Sequence, residues 1–326
     1  MLRSILLQWI TLPLAVLMLV AGCGPASTPT ATPEVTDSSA EIQPRPAPPV
    51  FGAFDPASVS DIVLAGYPVI PEIDAAARAI YRAGLARGNN PHVFSKLGDC
   101  MTENAYFLVT FAEGKYDLGV YAYLQEAIDQ FAGVPARGDG WELDSFATIG
   151  LAAANGFNIA GPLDPTWANP KWCKGGESPL ACEYRVARPS LAVIMFGTND
   201  VAYTDAATYD FYLRTLVIET LDRDILPILN TFPTRPEDPA KSLLLNRIVV
   251  RVAQDYALPL INLNQALEPL PYHGVDPADT IHLTVPPEGR VDHFTAPNLQ
   301  AGFTVRNLVT LQALHAVWQA VKERDT

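Results

Sequence analysis

The sequence predicts an α/β protein built as a three-layer, doubly wound parallel sheet, and three observations carry that expectation. Short, fully apolar runs recur along the chain, the clearest being Leu191 to Phe196. Stretches with helical spacing alternate with those runs. Gly-containing polar turns follow two of them directly. Strands buried on both faces read as unbroken apolar runs, which is what a parallel sheet covered by helices on each side requires.

In chain order, the spacing predicts a helix over 73–86, rich in Ala and Arg, then a short buried strand over 92–97 entering the turn Gly98-Asp99-Cys100. Helical spacing returns over 121–131. The strand over 191–196 ends in Gly197-Thr198-Asn199-Asp200 and is followed by a helix over 206–221. Two further short strands, 225–229 and 260–263, flank a helix over 243–256, and a last helix runs from about 297 to 321. No internal repeat is present.

The first 50 residues have a different character. Met1 to Arg3 is a short basic start, and an apolar run over 5–20 ends in Val20-Ala21-Gly22-Cys23. This is an export-signal pattern, and its end resembles the lipobox of bacterial lipoproteins, in which cleavage leaves the cysteine as a lipid-carrying N-terminus. A simple membrane anchor is the alternative for an apolar run of this length, but no basic stop-transfer cluster follows Cys23. Residues 24–50 turn to Pro, Ser, Thr and Ala, with Pro44, Pro46, Pro48 and Pro49 clustered at the end. Such a composition forms no core and serves as a spacer. The expected organisation is therefore a signal peptide over 1–22, a lipidated Cys23 with a linker to residue 50, and one domain over 51–326. That organisation implies an exported protein held at the outer face of a bacterial membrane by its lipid.

Composition narrows the partners. Lys and Arg number 22 against 35 Asp and Glu, a formal net charge of −13. A surplus of acid disfavours anionic polymers and headgroups as ligands, so nucleic acid is not expected as a partner. No phosphate-binding Gly-rich loop with Lys occurs, and the Cys and His spacings contain neither CxxC nor HxxxH, so no cofactor and no metal site are expected.

Doubly wound sheets bind ligands at the carboxyl ends of their strands. Cys100 and Asn199 therefore share one rim, and the polar set Asp279-Thr280-Ile281-His282 precedes the last helix. A nucleophile, an amide donor and an imidazole with an acid three residues before it are the parts that acyl transfer uses.

Here the chain resembles a family. Gly98-Asp99-Cys100-Met101-Thr102 is similar to the first block of the SGNH (GDSL-type) hydrolases, with cysteine at the position of the nucleophilic serine. Gly197-Thr198-Asn199-Asp200 is similar to the GxND block and Asp279-Thr280-Ile281-His282 to the DxxH block. The block that supplies a glycine best matches Gly156, with Gly150 as the alternative. The resemblance spans roughly 92–314. It implies a flavodoxin-like fold with about five parallel strands and an esterase or lipase-like acyl hydrolase. It further implies Cys100 as nucleophile, His282 as base, Asp279 as the acid orienting it, and an oxyanion hole from the N–H groups of Cys100 and Gly156 with the Asn199 amide. His92, His273, His293 and His315 lack the DxxH spacing.

A thiol titrates near pH ~8.5 when free and lower beside an imidazolium, so a Cys-His pair is a competent nucleophile. Sulfur is nevertheless larger than oxygen, and a fold that has lost its serine also fits a catalytically silent binding protein. With Cys23 assigned to lipid, three cysteines remain. Cys173 and Cys182 flank a Gly/Pro-rich loop and form the natural disulfide, worth on the order of 2.5 kcal/mol in loop closure. Cys100 is then the thiol left over.

Overall fold

The computed structural model describes residues 47–138 and 142–322. The expected leader, Cys23 and the expected linker up to residue 46 lie outside the described residues. Among the described residues no helix is long and apolar enough to cross a membrane.

Helix α1 (Ala75–Arg87) begins where Asp74 accepts a 2.8 Å bond from the Ala77 N–H, the ordinary role of an acidic N-cap. Strand β1 (Asn90–Gly98) leads straight into the four-residue helix α2 (Cys100–Glu103). The helix expected over 121–131 divides: a 3-10 turn covers Gly119–Leu124, bent at Tyr121, and α3 (Gln125–Phe131) follows. Helix α4 (Pro179–Ala187) precedes β2 (Pro189–Met195). Then come α5 (Asp200–Tyr203), α6 (Ala206–Leu221) and β3 (Leu226–Asn230). Helix α7 (Pro239–Asp255) starts four residues before the expected 243, because Asp238 caps it and Pro239 takes the first helical position. Strand β4 is only Leu260–Ile261, followed by α8 (Leu263–Leu267). Helix α9 (Gly302–Lys322) begins later than 297, the residues Asn298–Gln300 forming a separate 3-10 turn.

The four strands are parallel and lie in the order β1-β2-β3-β4. On the free edge of β1, Gly98 pairs in parallel with Ala153 through a single bridge. Residues around Ala153 thus occupy the place of a fifth strand without its length, and counting them gives the order 2-1-3-4-5 of a flavodoxin-like sheet. The chain reverses direction across the sheet at β1, so the switch point falls between the carboxyl ends of β1 and β2. Helices α1 and α3 contact α9, while α6 contacts α7, and both groups contact the strands, covering the sheet on two faces.

Strand β2 is buried at every position, in keeping with its apolar run. Strand β1 departs from an apolar core: Ser95 and Lys96 are both buried. Ser95 donates to Glu183 Oε1 at 2.6 Å, and Glu183 Oε2 accepts from the Leu151 N–H at 2.8 Å and from Arg137 at 3.2 Å. This buried cluster ties the Ala153 edge to β1 and α4. The disulfide joins Cys173 to Cys182, as the cysteine count predicts, and fastens the 164–178 loop to the first turn of α4.

Candidate active site

Gly98 and Met195 are paired across β1 and β2, so the turns that follow them emerge side by side at the switch point. Gly98 allows no side chain: a Cβ there lies 2.1 Å from Thr102 Oγ1 and 2.5 Å from the Met195 carbonyl. This close approach puts Cys100 at the first position of α2. Asp99 caps that helix, accepting the Met101 N–H at 3.0 Å.

The glycine-bearing loop joins the same rim. The Ala154 N–H donates to Gly98 O at 3.3 Å, and the Asn199 side-chain amide donates to Phe157 O at 2.8 Å. Asp200 holds the loop from below, accepting the Ile159 N–H at 3.1 Å and the Thr204 hydroxyl at 2.8 Å. Of the two candidate glycines, Gly150 is packed under the strand, where a Cβ lies 2.1 Å from Lys96 O, while Gly156 stands open in the loop beside Asn199. A pocket of about 260 Å³ opens next to it, lined by Gly156, Phe157, Asn158, Asp164 and Trp167.

His282 Nδ1 lies 2.7 Å from Asp279 Oδ2. The other histidines are engaged differently: His92 Nδ1 with Gln130 O, His293 Nε2 with Lys115 O, His315 with Gln319, and His273 with Glu268. Cys100, Asn199 and the Gly156 loop are thus brought together, and Asp279 with His282. Among the described residues no hydrogen bond joins Cys100 to His282. The two groups of residues are linked instead through the Arg235 and Glu237 side chains, and through α9, whose Gly302 N–H donates to Thr284 Oγ1 while its Arg306 side chain donates to Met101 O.

The electrostatics at Cys100 run against the sequence expectation. Burial pushes the Cys100 thiol up to about 12, and the Asp99 carboxylate beside it pushes in the same direction. A thiol expected to be lowered by an imidazolium is therefore raised, because it sits in the protein and next to an acid. Burial also raises Asp99 and Asp200 to about 6 each. Asp279 moves the other way, held low mainly by its bond to His282.

Sequence reasoning missed two buried cations. Arg306, on α9, donates to Met101 O at 2.6 Å and to Thr102 Oγ1 at 2.9 Å, and its guanidinium lies 3.6 Å from the centre of the Phe107 ring. It clamps α2 from behind. Lys96 donates to Phe146 O at 2.8 Å, and burial, then the Arg306 charge, pull its ammonium down to about 7. The signal was a single charge in each of two otherwise apolar stretches. Among the described residues no group of three or more His, Cys, Asp or Glu is arranged to hold a metal ion.

No protein-family model matches the chain, nor does any curated protein sequence. Among solved structures, it is similar to a lipase/acylhydrolase from Enterococcus faecalis at 20% identity, covering 67% of this chain and 96% of that one, with a TM-score of 0.41. It is also similar to a variant of an acetyl xylan esterase from Geobacillus stearothermophilus at 16% identity, covering 70% and 96%, with a TM-score of 0.43. A GDSL-like lipase from Bacteroides thetaiotaomicron matches at 15% identity over 73% and 96%, with a TM-score of 0.35.

Proposed function

We propose that this chain is an acyl-ester hydrolase of the SGNH type in which Cys100 acts as nucleophile, His282 as general base and Asp279 as its orienting acid. The observation that carries the reading is the 2.7 Å contact between His282 Nδ1 and Asp279 Oδ2. With Nδ1 donating to the carboxylate, Nε2 is left as the proton acceptor.

Because the thiol is raised to about 12, no standing thiolate is available, and proton removal has to accompany attack, as it does for a serine. His282 Nε2 takes the proton as Sγ bonds to the ester carbonyl carbon. The N–H groups of Cys100 and Gly156 and the Asn199 amide receive the developing oxyanion. Collapse expels the alcohol, protonated by His282, and leaves a thioester. Water then attacks that thioester with His282 as base, releasing the acid and restoring the thiol. The pocket at Trp167, a residue 64% exposed, with the Asp164 carboxylate beside it, suits a sugar ring or a similar group carrying the ester.

The proposal extends to place: an exported protein tethered to a bacterial membrane through a lipidated Cys23. The Cys173–Cys182 disulfide supports it, since such bridges persist in oxidising compartments.

A second reading rests on the raised thiol: a cleft that binds an acylated ligand without cleaving it. One experiment separates the two. The parent should hydrolyse a short-chain nitrophenyl ester and lose that activity in Cys100→Ala. An inactive parent whose Cys100→Ser variant is active selects the silent cleft, and activity that survives Cys100→Ala removes Cys100 from the chemistry.

A further inference from the structure

The loop carrying Asp279 and His282 is closed at its foot. Val275 and Leu283 form an antiparallel bridge, the Asp276 N–H donates to His282 O at 2.9 Å, and the Thr284 N–H donates to Gly274 O at 2.8 Å. The tip is different. Thr280, between the acid and the base, adopts a φ of +56°, a left-handed conformation that disfavours a β-branched residue. Its N–H donates to Asp276 O at 2.7 Å, and its hydroxyl points out of the loop to donate to Glu237 Oε1.

Glu237 continues the connection. Its Oε2 accepts from Arg235 Nε at 3.0 Å, and Arg235 Nη1 donates to the Thr198 carbonyl at 3.1 Å. Thr198 immediately precedes Asn199. The Arg235 backbone is fixed in turn, its N–H donating to Ser242 Oγ at 3.0 Å at the start of α7. Three side chains thus make an unbroken strap from the tip of the base-bearing loop to the turn that carries the amide donor.

We propose that Glu237, held by Arg235, is a positioning residue that sets His282 over the rim formed by Cys100 and Asn199. The proposal rests on the acyl-transfer reading above for its effect on rate, but not for its effect on the loop. Arg235 is mostly buried, but the Glu237 carboxylate is half exposed, and an ion pair with one such open member contributes little to global stability. Its effect lies in orientation, because reacting groups displaced by a fraction of an ångström lose rate steeply. Sequence patterns for the acid and base do not include these residues, and neither reaches the reacting atoms.

The test compares the full chain with Glu237→Ala and Glu237→Gln by hydrogen exchange over 276–283, thermal melting, and kcat and KM on a short-chain nitrophenyl ester. Glu237→Ala should speed exchange in that loop by about tenfold with an unchanged melting midpoint, and lower kcat roughly 5- to 20-fold at constant KM. Glu237→Gln should recover most of both, since its carbonyl can accept from Arg235 while its amide donates to the Thr280 hydroxyl, which is donor and acceptor alike. Unchanged exchange in Glu237→Ala overturns the strap whether or not the parent is active. Faster exchange with an unchanged kcat in an active parent overturns the positioning role. An inactive parent with faster exchange in the variant retains the strap and refutes the hydrolase reading instead.

Discussion

His282 and Asp279 meet at 2.7 Å as an i, i+3 pair on the tip of a loop, not on a helix face. The acid is partly open to water, with 43% of its side chain exposed. Exposure sets how much it can do. In a fully buried triad, losing the orienting acid costs on the order of 10⁴-fold. Here water can take over part of the hydrogen bond, so Asp279→Ala is expected to lower kcat roughly 10²-fold. His282→Ala, which removes the proton acceptor, is expected to cost at least about 10³-fold. Steady-state kinetics on a short-chain nitrophenyl ester check both, and equal losses would mean that the acid does more than orient the ring.

The thiol gives a second prediction, readable without any substrate. Burial, reinforced by Asp99, holds Cys100 up at about 12, so only on the order of one thiol in 10⁴ is ionised at pH 8. Alkylation by iodoacetamide is therefore expected to be slow at neutral pH and to rise about tenfold per pH unit from 7 to 10. Asp99→Asn removes the neighbouring like charge and should speed alkylation several-fold at fixed pH. A rate that levels off below pH 9 would mean an activated thiol and a different local electrostatic field.

What was legible in the sequence follows from which residues advertise their environment. The run ending at Phe196 announces a strand buried on both faces, and it is one. Asp279 and His282 are recognisable because an acid three residues before a histidine can meet it directly, as it does here. Lys96 and Arg306 were not, since a charge inside an apolar segment reads as an exposed position unless its buried partners are known, and those partners lie far away in sequence. Helix α4 was hidden within a Gly/Pro-rich insertion, although Ser178-Pro179 is an N-cap followed by a first-position proline and could have revealed it. The strap from Thr280 to Thr198 joins side chains of three separate segments, a juxtaposition no local pattern encodes. The electrostatics at the GDC turn were not legible either. The GDC turn gives the position of the thiol, whereas its raised protonation follows from burial, which only the folded chain supplies.

Arg306 supplies the last prediction. It donates to Met101 O and Thr102 Oγ1 and covers the Phe107 ring, all without access to water, and its charge acts on the buried Asp99 with no direct ion pair between them. Arg306→Met leaves the two acceptors unpaired and Asp99 as a buried charge without its cation. Leaving a buried acceptor unsatisfied costs about 1–3 kcal/mol, so urea denaturation should show a loss of a few kcal/mol. Adding Asp99→Asn should recover part of it, since a neutral side chain at 99 no longer needs the nearby cation. The pH dependence separates charge from packing. Burial already raises Asp99 from 3.8 to about 6 in the folded chain, so the fold binds its proton more readily than the unfolded chain does, and the stability linked to that proton falls as pH climbs from 4 through 6. Without Arg306 the folded value moves higher still, and the penalty of Arg306→Met relative to the parent should grow between pH 4.5 and 7.5. An equal penalty at both pH values would assign the effect of Arg306 to its hydrogen bonds and packing instead of its charge.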